Sequence, residues 1–274
     1  MHPEFRIVNA EGNKKIAILH NNCVKFTIFV DDKTIKSKPK IIIAMDKYVS
    51  SYNICVEKLE AGEYAEAISA LRDLADKGYD KAQYRLGLCY SEGLGVEKDV
   101  ERAMIYIFDA AIQGYCDAQF EMGEMHGEKG GLLMCKQEAF LWYRAAARRG
   151  HVEAQYQVGN SYYNGMGVVR NYDSAVEYYR LAAEQGYAPA QVAMGHCYDS
   201  GEGVIANLKE AFAWYLKAAE QGVADAMFVV GSRYEQGKGV ERDIEAAREW
   251  YSRAARDGYE DAINALHDLD GLLV

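Results

Sequence analysis

The chain is poor in proline and has no long apolar run. It holds three prolines among 274 residues, half of its residues are apolar, and charged residues make up 26%. Disordered segments have few apolar residues, so this composition excludes a largely disordered chain. No stretch approaches the ~20 apolar residues of a membrane span, and the N-terminus lacks the apolar core of a signal peptide. We therefore expect a folded cytoplasmic protein without membrane insertion.

The six cysteines show neither the spacing of a disulfide framework nor that of a zinc site. His20 and Cys23 offer two metal ligands, but no second pair follows at zinc spacing. Reduced thiols are expected, in keeping with a cytoplasmic location. No metal site and no cofactor are predicted.

Acidic residues outnumber basic residues over most of the chain. The net charge is −10, and residues 1–45 contain eight basic and four acidic side chains, a net +4, which leaves −14 on the remainder. An acidic body disfavours nucleic acid and anionic membranes as partners. It favours a basic protein or peptide, although acidity also simply promotes solubility.

Glycine, in contrast, is frequent for a helical protein, and its positions are periodic. One series recurs every 36 residues without exception: Gly78, Gly114, Gly150, Gly186, Gly222 and Gly258. Alanines from Ala82 to Ala262 and a second glycine series from Gly87 to Gly231 keep the same period. A fixed period of this length indicates a repeat architecture.

Each period predicts two helices. In residues 82–114, Ala82, Leu86 and Tyr90 recur at helical spacing. The turn at residues 93–96 contains two glycines, which enter left-handed backbone without steric cost and so end the first helix. The next helix begins after residues that make good N-caps and ends at the periodic glycine; these N-caps are Asp99, Asn171, Asn207 and Asp243.

Small residues predict a close approach of the two helices. Gly87 on the first helix and Ala110 and Ala111 on the second have little bulk, so aromatic residues are expected to fill the spaces beside them. We expect that role for Tyr106 and its equivalents, which are Trp142, Tyr178, Trp214 and Trp250. One hairpin cannot bury its apolar face alone, so the repeats should stack.

Residues 155–168 and 175–186 resemble the two halves of a Sel-one-like repeat (SLR), a subclass of the tetratricopeptide-like α/α solenoids. The pattern covers five full repeats, 82–258, after a degenerate hairpin at 45–78 and before a C-terminal cap at 262–274. The resemblance implies a mainly α, right-handed superhelical solenoid over residues 45–274, from a bacterial source. The second repeat departs from the pattern, because Lys129 replaces a turn glycine and Cys135 replaces the N-cap.

Residues 1–44 do not fit the repeat and are predicted to form a small β-rich N-terminal segment. Its β-prone runs are 5–8, 15–19, 24–30 and 41–43. A piece of this size is near the lower limit for an independent core. It is expected to dock on the first helices, to pair with a second copy as a homodimer, or to bind a partner.

No constellation of residues predicts catalysis. The Gly-x-Gly turns mark the repeat rather than a phosphate site. His126 stands where other repeats have tyrosine, which favours a packing substitution. His196 and Cys197 are adjacent on a helix and point about 100° apart, so they do not form a nucleophile and base pair. We expect no enzyme.

In tetratricopeptide-like solenoids the first helix of each hairpin lines a concave groove, and this resemblance supplies three columns of candidate partner-binding residues. The first column is Tyr84, Phe120, Tyr156, Val192 and Phe228. The second column is Leu88, Glu124, Asn160, His196 and Ser232, and the third is Glu92, Glu128, Asn164, Ser200 and Gln236. Aromatic anchors among polar groups suit peptide capture. The first column is equally compatible with packing between neighbouring helices, and the polar columns with an ordinary wet surface.

The resemblance implies a scaffold or adaptor that binds a protein or peptide, with a basic segment favoured by charge. Two alternatives stay open. One is self-assembly through the N-terminal strands, and the other is an enzyme that uses the solenoid to hold its substrate.

Overall fold

The computed structural model describes the backbone of residues 4–9, 15–21, 24–30, 38–127 and 135–271, and the side chains of residues 48–127 and 135–269. The three strands are β1 (Glu4–Asn9), β2 (Lys15–Asn21) and β3 (Val24–Val30). They pair antiparallel in the order β1-β2-β3, with Glu4 opposite His20 and Lys15 opposite Val30. The strands alone do not establish a packed β-rich segment, because no side chain before Tyr48 is among those described. That segment stays a prediction.

Thirteen helices follow within the described residues. The first helices of the hairpins are α1 (Lys38–Glu60), α3 (Asp80–Glu92), α5 (Cys116–His126), α7 (Val152–Asn164), α9 (Ala188–Ser200), α11 (Ala224–Gln236) and, unpaired, α13 (Glu260–Gly271). The second helices are α2 (Tyr64–Asp76), α4 (Val100–Gln113), α6 (Lys136–Ala147), α8 (Tyr172–Glu184), α10 (Leu208–Glu220) and α12 (Ile244–Arg256). The predicted mainly α repeat of helical hairpins is confirmed.

The start of the helical region differs from the prediction. Residues 41–43 were expected to be a β-prone run, but α1 begins at Lys38 and contains them. Pro39 lies in the first turn of α1, where its missing N–H costs nothing and its fixed φ favours a helix start. The predicted boundary between residues 44 and 45 therefore falls inside a helix.

The chain divides into two compact units, Met1–His151 and Val152–Val274. Within each unit, helices that follow one another along the chain pack against each other. Helices α1–α6 belong to the first unit and α7–α13 to the second. The hand of the predicted superhelix stays a prediction.

Side-chain caps begin the second helices as expected. Asp99 accepts a hydrogen bond from the Arg102 N–H at 2.9 Å, and Asn171 accepts one from the Ser174 N–H at 3.0 Å. Asn207 and Asp243 do the same for α10 and α12. At the irregular repeat, Cys135 makes no side-chain cap. The N-cap predictions are therefore confirmed, and so is the exception.

Buried glutamines join successive hairpins. The side-chain amides of Gln119 and Gln191 donate to the last carbonyls of the preceding second helix, Ala111 O at 3.0 Å and Ala183 O at 3.2 Å. Gln191 Oε1 in turn accepts from the Gln221 amide at 2.7 Å. The last turn of a helix leaves carbonyls without helical partners, and these amides satisfy them inside the core.

In four hairpins a glycine of the first helix packs directly against an aromatic ring of the second helix. A Cβ placed on Gly195 would lie 2.7 Å from the Tyr215 ring, and one on Gly231 would lie 2.7 Å from the Tyr251 ring. The equivalent glycines of two other hairpins, Gly123 and Gly159, face Tyr143 and Tyr179. Gly87 faces Ile107 of α4. The predicted aromatic series beginning at Tyr106 packs beside the core, as Tyr106 and Trp142 do, but the residue that faces the glycine is the next one along the helix. The missed signal was a pair of adjacent aromatic residues, as in Trp214-Tyr215.

Replacement of Gly195 by alanine should destabilise the second unit. Alanine is the better helix former by ~1 kcal/mol, but its methyl group would overlap the buried Tyr215 ring, and overpacking of this kind costs ~1–3 kcal/mol. Urea unfolding should show a lower midpoint for Gly195→Ala. The control is Glu177→Ala, an exposed helical position, which should leave the midpoint almost unchanged. A higher midpoint for Gly195→Ala would contradict the close contact.

Candidate functional site

The first column of candidate residues consists of half-buried rings that pack on the next hairpin. Within the first unit, the Tyr84 ring lies 5.2 Å from the Tyr115 ring, and Phe120 stacks on His151 at 4.5 Å. Within the second unit, Tyr156 contacts Tyr187 at 5.4 Å, Phe228 contacts Tyr259 at 5.5 Å, and Val192 is half-buried. One side of each residue thus packs between hairpins, and the remainder stays open to solvent.

The second column meets the tyrosines that pack under the glycines. Tyr143 Oη donates to Glu124 at 2.7 Å, and Tyr179 Oη donates to Asn160 Oδ1 at 2.8 Å. The His196 ring contacts the Tyr215 ring edge-on at 5.5 Å, and Ser232 hydrogen-bonds Tyr251. In α3 and α4 the tyrosine is replaced by Ile107 and the polar partner by Leu88. The second column is therefore part of the hairpin's internal hydrogen bonding as well as of its surface.

Burial keeps these phenols in the neutral form that donates. Burial raises the pKa of Tyr179 far above its usual range, and burial together with the hydrogen bond to Glu235 raises the pKa of Tyr251. The phenols of Tyr179 and Tyr251 therefore stay protonated at neutral pH. The Tyr179 phenol fixes the orientation of Asn160, and the Tyr143 hydroxyl holds Glu124 in the same way.

The third column is the most accessible. Glu92, Asn164, Ser200 and Gln236 are all exposed. The Asn164 amide donates to the Asn160 carbonyl oxygen at 3.0 Å, and Ser200 Oγ donates to Glu202 at 2.9 Å. Glu128 lies outside the described residues. The three columns thus run from half-buried rings to exposed polar groups on the first helices of each unit.

Sequence reasoning missed a buried ion pair in the second unit. The Arg233 side chain is only 5% exposed and pairs with Asp199 on the preceding first helix. Its guanidinium lies 4.7 Å from the centre of the Tyr215 ring, and Tyr215 Oη donates to Asp199 at 3.4 Å. Equivalent positions hold the buried Cys89, Ser161 and Cys197, so an arginine among small buried residues was the available signal.

His126 and His196 contact neighbouring side chains, and Cys197 is buried. His126 does more than replace a tyrosine ring, since its Nδ1 lies 3.1 Å from Glu138 Oε2. Cys197 is buried and His196 exposed, and burial raises the pKa of Cys197 to about 11, so the thiol is a poor nucleophile. Within residues 48–127 and 135–269, no group of three or more metal-ligating side chains occurs. No described helix is long and apolar enough to cross a bilayer.

Comparisons with known proteins agree with the repeat. The family model described as Sel1 repeat matches residues 80–115, 116–151, 152–187, 188–223 and 224–259. A Sel1 repeat protein from Oxalobacter formigenes is 34% identical, over 79% of this chain and 86% of that chain, with a TM-score of 0.71. A protective antigen present in uropathogenic Escherichia coli, displaying an SLR fold, is 31% identical over 89% of this chain and 52% of that chain, with a TM-score of 0.78.

One curated protein matches over a shorter stretch. The DAP3-binding cell death enhancer 1 of Rattus norvegicus is 41% identical over 49 residues, which is 18% of this chain. The matched stretch is 10% of the length of the rat protein, so the similarity concerns the repeat and not that protein as a whole.

A double-mutant cycle should measure the coupling between the second column and the buried phenols. Tyr179→Phe removes the donor to the side-chain Oδ1 of Asn160, and Asn160→Ala removes the acceptor of the Tyr179 hydroxyl. Each change should cost ~1 kcal/mol of unfolding free energy, with a coupling of ~0.5–1.5 kcal/mol in the double variant. Tyr178→Phe is the control, because Tyr178 stacks on Tyr162 and no hydrogen bond of its hydroxyl is among the described contacts. Purely additive effects of the two changes would show that the hydrogen bond does not support the column.

Proposed function

Since this chain belongs to the Sel1 repeat family, whose members generally mediate protein–protein interactions, we propose that it is a non-enzymatic adaptor. Its first helices hold a protein or peptide partner, and the three columns of candidate residues provide the contact surface. A single observation carries the proposal: in each unit, half-buried rings and oriented polar groups share one face of successive first helices.

The mixture of groups on this face suits peptide binding. Tyr84, Phe120, Tyr156 and Phe228 present rings whose positions are already restricted by packing, so little side-chain entropy is lost when a partner covers them. Glu124 and Asn160 are held by phenol hydrogen bonds and retain further acceptor capacity. Anchoring rings surrounded by oriented acceptors are typical of recognition surfaces.

Charge favours a basic partner on the first unit. Glu92 and Glu124 lie on its first helices. None of the equivalent positions of the second unit is acidic; they are Asn164, Ser200 and Gln236 for Glu92, and Asn160, His196 and Ser232 for Glu124. Acidic groups of this kind speed association with a basic segment and make it sensitive to salt. The first unit is therefore the proposed site for a lysine- or arginine-rich segment.

We further propose a cytoplasmic location in a bacterial cell. Cys55, Cys89 and Cys197 are buried as reduced thiols, which suits a reducing compartment. The two solved relatives above come from bacteria.

Removal of negative charge from this face should weaken partner binding at low salt. The test variant is Glu92→Lys with Glu124→Gln, because glutamine still accepts the Tyr143 hydrogen bond. The control is Glu177→Lys with Glu184→Gln, the same charge change at exposed positions of a second helix. The tagged full chain is purified from its native cell at low and at moderate salt, and bound proteins are quantified by mass spectrometry. A stoichiometric partner should be lost with salt and with the test variant, while the control retains it. Equal recovery by both variants would remove this face from consideration.

Self-association through the N-terminal strands is a second candidate function. In the described backbone, β1 and β3 each pair on one side only, and an open strand edge is a surface for a further strand. Light scattering should then give a dimer mass for the full chain and a monomer mass for a chain lacking residues 1–37. A monomer in both cases would exclude this role for the strands.

A further inference from the structure

A cavity with an unusual lining lies between the second helices α2 and α4. Its volume is about 390 Å³, and it is lined by Arg72, Tyr90, Arg102, Ile105 and Tyr106. The Tyr90 and Tyr106 rings stack with centroids 5.8 Å apart and planes 4° apart, and they form an aromatic wall. Two guanidinium groups therefore stand beside an aromatic surface, and Glu97 and Asp99 line the adjoining cavity that shares Arg72, Tyr90 and Arg102.

The arginines are organised by the Tyr90 hydroxyl. Arg72 Nη2 donates to Tyr90 Oη at 3.1 Å, and the Arg102 guanidinium lies 5.8 Å from the centre of the Tyr90 ring. Burial opposes ionisation of Tyr90, but hydrogen bonds from Arg72 and Arg102 outweigh it and lower the pKa of the phenol. Both guanidinium groups are thus held at the Tyr90 hydroxyl.

The two arginines differ in the partners they already have. Arg102 Nε lies 3.1 Å from Asp99, in an exposed pair that contributes little. Within the described residues no carboxylate contacts Arg72, which leaves most of its five N–H donors available. A carboxylate that enters the cavity would find these donors in the fork geometry that binds it best.

An exposed apolar stripe begins at this cavity. Ile105, Phe108 and Ile112 are 59%, 44% and 60% exposed, and their spacing of three and four residues places them on one face of α4. The Phe108 ring also contacts Trp142 of α6 at 6.2 Å, edge to face, beside the exposed Leu141. The stripe therefore continues onto the neighbouring second helix.

The fold does not require this stripe. The positions equivalent to Ile105, Phe108 and Ile112 in α8 are charged, namely Glu177, Arg180 and Glu184. Those in α12 are Glu249, Ser252 and Arg256. Since most of these positions in α8 and α12 are charged, the contiguous apolar side chains on α4 mark an interaction surface rather than a packing need of the repeat.

The second unit supplies an internal comparison for the arginines. Arg180 Nη2 donates to Tyr198 at 3.2 Å, as Arg72 does to Tyr90, but Glu210 stands in the place of Arg102. The hydrogen bond from one arginine to the tyrosine is thus shared by Arg72 with Tyr90 and by Arg180 with Tyr198. The second arginine and the apolar stripe occur together at the cavity of α2 and α4.

We propose that the cavity and the stripe form a second docking surface, which binds a partner segment carrying a carboxylate next to apolar side chains at helical spacing. The carboxylate lies between Arg72 and Arg102, and the apolar side chains cover Ile105, Phe108 and Ile112. Apart from Tyr90 of α3, this surface uses the second helices α2 and α4, and none of its residues belongs to the three columns proposed for a basic partner. An adaptor with both surfaces holds two segments of opposite charge.

The test uses a fluorescein-labelled synthetic peptide of about fourteen residues, roughly four helical turns, with leucines on one face and glutamates beside them. Fluorescence anisotropy against the full-length chain should show saturable binding, and replacement of the glutamates by glutamine should weaken it at least about tenfold. Arg72→Gln with Arg102→Gln should weaken binding of the glutamate peptide to the same extent. Ile105→Ser with Ile112→Ser should weaken binding of both peptides, because it removes the apolar contact.

The matched control is Arg180→Gln with Leu181→Ser, which removes an arginine from a tyrosine and an exposed apolar side chain in the second unit. It should leave binding unchanged. All the substituted positions are exposed except Arg180, which is half-buried, so circular dichroism should confirm an intact fold. The proposal is wrong if the wild-type chain shows no saturation by about 1 mM peptide, the weak end of specific binding. It is equally wrong if the arginine variant binds like the wild type, or if the control loses as much affinity.

Discussion

In four hairpins the distance between the two helices is limited by one contact, a glycine on the first helix against a ring on the second. At Gly195 the space that a Cβ would need is already filled by Tyr215, and at Gly231 it is filled by Tyr251. A side chain at the glycine would push the helices apart and open the core on either side. Since dense packing is what stabilises such a small interior, the rest of each hairpin depends on this position remaining empty.

The same tyrosine also organises the surface. Its ring fills the space at the glycine, and its hydroxyl donates a hydrogen bond to a polar side chain of the first helix, Glu124 for Tyr143 and Asn160 for Tyr179. In α3 and α4, Ile107 replaces the tyrosine and Leu88 replaces the polar partner, so the two positions change together. A core requirement thus determines which polar groups the first helices can present to a partner.

The two proposed docking surfaces are built from different residues and carry different chemistry. The first helices present packed rings with carboxylates and amides, which suits a basic segment. The second helices α2 and α4 present two arginines and an apolar stripe, which suits an acidic and apolar segment. In a repeat protein the packing of first against second helices occupies only the inner faces. The outer positions are therefore free to vary from hairpin to hairpin, as Ile105 and its equivalents Glu177 and Glu249 do.

The sequence by itself determined the repeat, its period, the N-caps at Asp99 and Asn171 and the glycines that end the helices, because these features depend on local backbone preferences that recur at a fixed spacing. It also identified the first-column rings, but not whether they pack or bind, and the structure has each of them packing on one side. Tertiary structure alone decided which of two adjacent aromatic residues faces the glycine, since a shift of one residue on a helix turns a side chain by about 100°. It likewise decided that Arg233 pairs with Asp199 and that Arg72 and Arg102 meet at Tyr90. Such contacts join residues 12 to 34 positions apart, and no local pattern records which side chains a stack of helices will bring together.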